Sequence, residues 1–175
     1  MDQEPFWVVR AQCQDREALE LLLRSVQPAL HRYVRSVVGA THADDVVQDV
    51  LMTIARKLAW LSEPRLFRAW AFRIASRAAF RHLRKERRRA HDSDDAVLEA
   101  LPAPEPPPSA DLLGDLFDSD QLSPASRAVL VLHFQEEMPL ADVAAVLEIP
   151  LGTVKSRLAY GLNALRRHLA GRRSL

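Results

Sequence analysis

The sequence predicts an all-α protein made of two small helical domains joined by a linker. Apolar residues recur at three- and four-residue steps along most of the chain, which is the period of an amphipathic helix. Only 5 of the 175 residues are glycine, and no long segment alternates apolar and polar residues as a half-buried strand does. One acidic, proline-rich stretch interrupts the helical pattern and divides the chain in two.

Three amphipathic segments fill the first part of the chain. The first, over residues 19–37, predicts one or two helices that end near Gly39. The second begins near Thr41 or His42 and continues to Leu58, and the third covers 67–82. Pro64 lies between the last two, where a proline suits the start of a helix.

The linker is marked by its charge and its prolines. Nine acids and no lysine or arginine lie between Asp92 and Asp120, and five prolines lie between Pro102 and Pro108. Proline breaks a helix and stiffens an extended chain. We therefore expect an N-terminal domain at 1–91, a linker at 92–110 and a C-terminal domain at 111–175.

Four helical segments are predicted beyond the linker. A short one covers Leu112–Phe117, and the next begins with Ser123 as N-cap and Pro124 at the first helical position, running to about Glu136. A short helix over Leu140–Leu147 and a long one over Leu151–Leu169 follow.

The composition argues against several classes of protein. The one cysteine excludes an internal disulfide and a cysteine-rich metal site, and the six histidines have no metal-ligand spacing. The sequence has no glycine-rich phosphate loop and no nucleophile elbow. It shows neither a signal peptide nor a membrane-spanning run. We therefore expect a cytoplasmic protein that is not an enzyme and has no metal, no cofactor and no membrane insertion.

The net charge of +1 hides a strong segregation of charge. Ten cations and one acid lie between Pro64 and His91. Like charges four residues apart share a helical face and repel one another, and a DNA backbone would relieve that repulsion. The alternative to DNA binding is that these cations form a solvated helix face. The candidate DNA-binding cations of this segment are Arg73, Arg77, Arg81, Arg84 and Lys85. The acidic linker would partly screen them in the free protein.

Residues 140–158 fit a helix-turn-helix. Ala144 is the small residue expected where the two helices cross, and the turn falls at 148–150. We expect positive φ at Glu148, where many such motifs have glycine. The residues expected to face inward are Val154 and Leu158, together with Leu151, Leu162 and Leu165. Those expected to face outward, toward a major groove, are Thr153, Lys155, Ser156, Ala159 and Tyr160. An ordinary helical hairpin is the alternative.

These motifs together resemble a known family. SPASRAVLVLHF and LADVAAVLEIPLGTVKSRLAYGLNALRRHL are similar to the C-terminal promoter-binding domain of extracytoplasmic-function (ECF) sigma factors. ALELLLRSVQPALHRYVRSVVG, ADDVVQDVLMTIARKL and FRAWAFRIASRAAFRHLRKERRR resemble their N-terminal domain. The resemblance covers nearly the whole chain in the family's order.

The resemblance implies binding partners and residue roles. It implies that core RNA polymerase is bound through the β′ coiled coil and the β flap, that promoter DNA is bound at its −10 and −35 elements, and that an anti-sigma factor is a possible partner. The residues matching the surface for the β′ coiled coil are Asp45, Gln48, Asp49 and Met52. The Arg-rich helix would contact the −10 element. The residues implied for the −35 element are Thr153, Lys155, Ser156, Arg157, Ala159 and Tyr160.

Some residues depart from the family pattern or have a second interpretation. Arg77 and Arg81 stand where Asn and Asp are common, and Tyr160 stands where Arg is frequent, so the promoter bases stay open. Aspartates near the start of the second helix also favour its dipole, which is an alternative role for Asp44 in particular. A stand-alone helix-turn-helix regulator and an adaptor without specific DNA contact are the rival functions.

Overall fold

The structure is a computed structural model that describes residues 3–92 and 122–172, with side chains for 3–90 and 122–167. Every regular element in these ranges is helical. Asp92 ends a helix, and the rest of the predicted linker lies outside the described residues. The short helix predicted at Leu112–Phe117 also lies outside them. The hypothesis that the linker screens the basic helix concerns the same residues and stays a prediction.

Four helices and two 3-10 turns form the N-terminal part. Their bounds are α1 Glu4–Gln12, α2 Arg16–Val38, α3 Ala40–Lys57, the turns Leu58–Trp60 and Pro64–Leu66, and α4 Phe67–Asp92. The first predicted segment is thus one helix, α2, which continues through Pro28. Burial of Val26, Ala29 and Leu30 on both sides of the proline explains its continuity, because tertiary packing outweighs the lost backbone hydrogen bond.

The sequence pattern did not predict α1, since only Val8 of this helix is fully buried. Two polar contacts fix it instead. The Gln12 side-chain amide donates to the carbonyl oxygens of Leu58 and Leu61 at 2.9 and 2.7 Å. Asp15 then caps α2, accepting from the Ala18 amide at 3.1 Å and from Arg10 Nε at 2.8 Å. The hydrogen bond from the Ala18 amide lowers the pKa of Asp15 most, and the hydrogen bond from Arg10 lowers it further.

A buried polar cluster joins α2 to α4. Tyr33 is fully buried and packs edge-on against Phe72, with ring centroids 5.6 Å apart. Its hydroxyl lies 2.7 Å from Ser76 Oγ, which itself donates to the Phe72 carbonyl at 2.8 Å. The tyrosine is therefore the donor to Ser76. Burial raises the pKa of Tyr33, because the low-dielectric core disfavours a phenolate.

Replacing either partner of this hydrogen bond should destabilise the fold by different amounts. Tyr33→Phe removes the buried hydroxyl and leaves Ser76 paired, so we expect a loss of about 1 kcal/mol in the free energy of unfolding. Ser76→Ala leaves the Tyr33 hydroxyl buried without that partner, and we expect a loss of about 2 kcal/mol. Urea denaturation measures both, and a larger loss for Tyr33→Phe would contradict this assignment.

The C-terminal part contains three helices and one wide turn. Their bounds are α5 Pro124–Leu130, the π-helical turn Val131–Gln135, α6 Leu140–Leu147 and α7 Leu151–Arg172. Ser123 caps α5 by accepting from the Ser126 amide at 3.2 Å, as predicted. The helix predicted to run to about Glu136 is α-helical only as far as Leu130, and the π-helical turn follows it. In that turn the Glu136 amide donates to the Val131 carbonyl, five residues back. The wider turn keeps Val131 and Leu132 buried.

The two parts pack against each other. Helix α4 lies against α6, α2 lies against α5, and the buried apolar residues of both parts form one continuous cluster. None of the helices in the described ranges is long and apolar enough to span a bilayer.

Candidate nucleic-acid interface

The turn between α6 and α7 has the geometry predicted for a helix-turn-helix. Glu148 ends α6 in the left-handed conformation, with φ 55° and ψ 44°. The Ile149 amide then donates to the Ala144 carbonyl at 3.2 Å, and the Pro150 carbonyl accepts from the amides of Thr153 and Val154. Positive φ at Glu148 is therefore confirmed, and α7 begins immediately after the turn.

One side of α7 packs on the other helices of the C-terminal part. Val154 and Leu165 are buried, and Leu158 and Leu162 are partly buried, as predicted. Leu151 was expected inside, and that prediction was wrong. It is 40% exposed because it is the first residue of α7, before the helix passes beneath its neighbours.

The opposite side of α7 presents the residues predicted for DNA. Lys155, Ser156, Ala159 and Tyr160 are exposed, and the exposed fraction of Tyr160 is 55%. Thr153 is half-buried, as is Arg157, which faces α4 across a cleft. The first three turns of α7 therefore expose hydroxyl, ammonium and phenol groups, which are of the kind that contact base edges and phosphates in a major groove.

The predicted cations of α4 do not have equivalent surroundings. Arg81, Arg84 and Lys85 are exposed, whereas Arg73 is half-buried, with a buried Nε that has no hydrogen-bond partner among the described residues. Arg77 is exposed but paired with Glu148. The sequence placed all five residues in one basic segment and did not indicate these differences in burial and pairing.

Arg77 and Glu148 form a bidentate ion pair between α4 and the helix-turn-helix. Arg77 Nε donates to Glu148 Oε2 at 2.9 Å, and Arg77 Nη2 donates to Oε1. The guanidinium hydrogen bond lowers the pKa of Glu148, with a smaller contribution from the charge of Arg73. The ion pair is thus fully formed above the ordinary carboxyl range and is lost as the pH falls through the lowered pKa.

A cleft of about 390 Å³ surrounds this ion pair. Its cations come from both parts of the chain: Arg77, Arg81 and Arg84 from α4 and Arg157 from α7. The tertiary structure therefore brings together cations that the sequence assigned to two separate DNA-binding segments.

The predicted polymerase-binding residues lie on one exposed face of α3. Asp45 and Asp49 are four residues apart, as are Gln48 and Met52, and all four residues are exposed, Met52 to 52%. Gln48 and Met52 also line a cleft of about 400 Å³ between α2 and α3.

Asp44 has a partner that the sequence did not indicate. It lies 2.9 Å from His31 Nε2, on α2, and is the fifth residue of α3. No acid occupies the first turn of that helix. Asp44 therefore contacts a neighbouring helix and does not lie in the first turn of α3, where the alternative interpretation had it favour the helix dipole.

Two other arrangements were missed because their members are far apart in sequence. The rings of His42 and His82 lie 4.6 Å apart, between α3 and α4. Glu136 accepts from Arg32 at 3.0 Å and from Arg68 at 2.8 Å. Within the described residues, no group of three or more metal-ligating side chains occurs.

Two family matches divide the chain as the fold does. Residues 22–89 match Sigma-70 region 2, and residues 120–167 match Sigma-70, region 4. The first range contains α3 and α4 as far as Arg89, and the second contains the helix-turn-helix. A stand-alone regulator would account for the second range alone, so this alternative is not favoured.

Full-length relatives and solved structures agree with these matches. The chain is 30% identical over 186 residues to the RNA polymerase sigma-H factor of Pseudomonas aeruginosa, covering 96% of this chain and 94% of the relative. It is 25% identical over 169 residues to the ECF RNA polymerase sigma factor SigW of Bacillus subtilis, covering 89% of this chain and 90% of the relative.

The fold is similar to the sigma factor RpoE of Bartonella quintana in complex with the anti-sigma factor NepR. The TM-score is 0.71 at 29% identity, over 86% of this chain and 96% of that one. The fold is also similar to CnrH in complex with the cytosolic domain of CnrY. The TM-score is 0.70 at 26% identity, over 97% of this chain and 99% of that one. The helices, the two family matches in order and the full-length relatives lead to one conclusion: the chain belongs to the ECF RNA polymerase sigma factors.

Proposed function

We propose that this sigma factor binds core RNA polymerase and directs it to promoters through three separate surfaces of its helices. The observation that carries the proposal is the coexistence, in one chain, of the exposed acidic face of α3, the basic helix α4 and a helix-turn-helix. Such a factor has no catalytic role of its own and acts where the polymerase acts, in the cytoplasm.

The first surface is the recognition helix α7. Its exposed N-terminal turns are of the kind that enter a major groove, where hydroxyl and ammonium groups contact base edges and phosphates. We assign recognition of the −35 element to this surface. The residues concerned are Thr153, Lys155, Ser156, Arg157, Ala159 and Tyr160.

The second surface is the basic face of α4. Arginine suits phosphate because its planar guanidinium offers a fork of donors. We assign contact with the −10 element, and support of strand separation there, to this helix. The residues concerned are Arg73, Arg77, Arg81, Arg84 and Lys85, and in the described structure Arg77 first has to leave Glu148.

The third surface is the exposed face of α3 around Asp45, Gln48, Asp49 and Met52. Its carboxylates beside an exposed thioether fit a partner helix that has basic and apolar groups, and we assign the β′ coiled coil to it. The C-terminal part would meet the β flap. An anti-sigma factor is a further proposed partner, supported by the likeness to RpoE in its complex with the anti-sigma factor NepR.

Reconstitution with core polymerase on a promoter template tests the function. Promoter-specific transcripts should appear only when the chain and core enzyme are both present. Neutralising Lys155 and Arg157 together should abolish most of them, whereas an adaptor without specific DNA contact would tolerate the change. Tight operator binding by the free chain, with no transcript from any genomic template, would overturn the proposal.

A charge-neutral variant tests the polymerase surface. We expect Asp45→Asn with Asp49→Asn to weaken binding to core enzyme by about tenfold, because charged groups central to an interface often dominate its affinity. The matched control is Glu17→Gln with Glu20→Gln on exposed positions of α2, which makes the same change in net charge. If the two variants bind labelled core enzyme with equal affinity, α3 is not part of the interface.

A further inference from the structure

The contact between the two parts of the chain contains ion pairs as well as apolar packing. Glu136, at the end of the π-helical turn, accepts from Arg32 on α2 and from Arg68 on α4. Its side chain is only 1% exposed. A carboxylate that loses this much water is stable as an anion only beside positive charge. Glu136 is therefore adapted to the packed arrangement of the two parts.

The second ion pair, between Arg77 and Glu148, has a conformational cost. Glu148 occupies the left-handed region at φ 55°, where glycine is free of strain and a glutamate is not. The side chain that glycine would lack makes both hydrogen bonds to Arg77. The strained residue thus joins the helix-turn-helix to α4.

The groups that this contact occupies are groups that DNA would require. Arg77 is one of the α4 cations assigned to the −10 element, and it is bound to an internal carboxylate. Arg157 of the recognition helix faces the same cleft as Arg81 and Arg84. A phosphate backbone and Glu148 would therefore compete for the same guanidinium.

We propose that Glu136 and Glu148 form an intramolecular latch that holds the two parts of the chain together and lowers their affinity for DNA until a polyanion displaces the carboxylates. This inference rests on the proposed function of α4 and α7. It assigns to two acidic residues, neither of which contacts DNA or polymerase in the proposed function, control over access to the basic surfaces. The apparent affinity for DNA equals the affinity of the open chain multiplied by the fraction of chains that are open, so a mostly closed chain binds weakly.

The closed arrangement itself is tested on the full chain without DNA or polymerase. Cys13 is exposed and is the chain's one cysteine, so a spin label there and a second at Ala141→Cys, an exposed position of α6, report the distance between the two parts. Pulsed electron resonance should give one narrow distance distribution for the otherwise unchanged chain. A broad distribution would overturn the latch.

Reversing one charge tests the Glu148 contact directly. Glu148→Arg keeps a non-glycine residue at the same backbone position but faces Arg77, so the distance distribution should broaden. Adding Arg77→Glu should narrow it again, at least in part, since opposite charges are restored. A distribution that stays narrow in Glu148→Arg, or one that the second change does not narrow, would overturn the role of this pair.

The effect on DNA is tested with conservative variants. Glu136→Gln with Glu148→Gln should bind duplex DNA of random sequence about five- to tenfold more tightly than the unchanged chain, as measured by fluorescence anisotropy. Glu17→Gln with Glu20→Gln gains the same net charge away from the contact and should show a smaller increase. Equal gains for both variants would mean that net charge alone acts and would overturn the latch.

The outcomes separate the latch from the function on which it rests. Promoter-specific transcripts from a chain whose distance distribution is broad would reject the latch and leave the sigma-factor function standing. A narrow distribution that opens in the Glu148→Arg variant, with no transcript from the unchanged chain, would support the closed arrangement and reject the proposed function.

Discussion

The triple variant Arg81→Gln, Arg84→Gln and Lys85→Gln is expected to lower the salt dependence of DNA binding substantially. The slope of log affinity against log salt concentration should fall in magnitude by about 3, since each phosphate contact contributes about one unit. Affinity at low salt should fall by at least about tenfold. All three side chains are exposed, and their mutual repulsion on α4 is relieved, so the fold should not be weakened.

The control for this variant removes the same charge elsewhere. Arg16→Gln, Arg24→Gln and Arg56→Gln change three exposed cations on α2 and α3. Anisotropy titrations at several salt concentrations should show a much smaller change in slope for this control. If both triple variants lose the same slope, the protein attracts DNA through its total charge, and α4 is not the contact surface.

Gly161→Leu is expected to destabilise the C-terminal part by about 3 kcal/mol, at the upper end of the cost of overpacking a core. Gly161 is buried where α7 crosses α5, and a Cβ at this position would lie 2.9 Å from Leu130 Cδ1 and 3.3 Å from its Cγ. Leu130 is fully buried and has little room to move. A larger side chain must therefore separate the helix that supports the recognition surface from its neighbour.

Gly152→Ala is the matched control on the same helix. A Cβ at residue 152 meets nothing within 4 Å, so alanine should leave stability unchanged or raise it by up to about 1 kcal/mol through its helix propensity. Urea denaturation followed by circular dichroism compares the two variants. Similar unfolding midpoints for both would contradict the close packing of α5 and α7.

Helix boundaries followed from local patterns wherever a cap or a sustained period was present. Leu140–Leu147 and the Ser123 cap of α5 were predicted as they occur, because both depend on residues within a few positions of each other. Helix α1 escaped prediction because what holds it, the Gln12 contacts with Leu58 and Leu61, spans more than forty residues. The wide turn after α5 escaped for a similar reason, since it depends on the burial of Val131 and Leu132.

The candidate sites divide in the same way. The positive φ of Glu148 and the exposed faces of α3 and α7 could be predicted, because turn geometry and helical periodicity are local properties. The exposure of Leu151 could not, since a helix period gives direction but not the place where a neighbouring helix begins. Nor could the pairing of Asp44 with His31, which requires the packing of α2 on α3.

The sequence alone determined the all-helical character, the segregation of charge and the presence of two successive sigma-factor regions. These depend on residue type and spacing along the chain. Only the tertiary structure decided that Arg77 meets Glu148, that Glu136 is buried between two arginines, and that cations from both parts line one cleft. The reason is physical: an ion pair between residues 71 or 104 positions apart leaves no periodic trace in either segment and exists only once the helices pack.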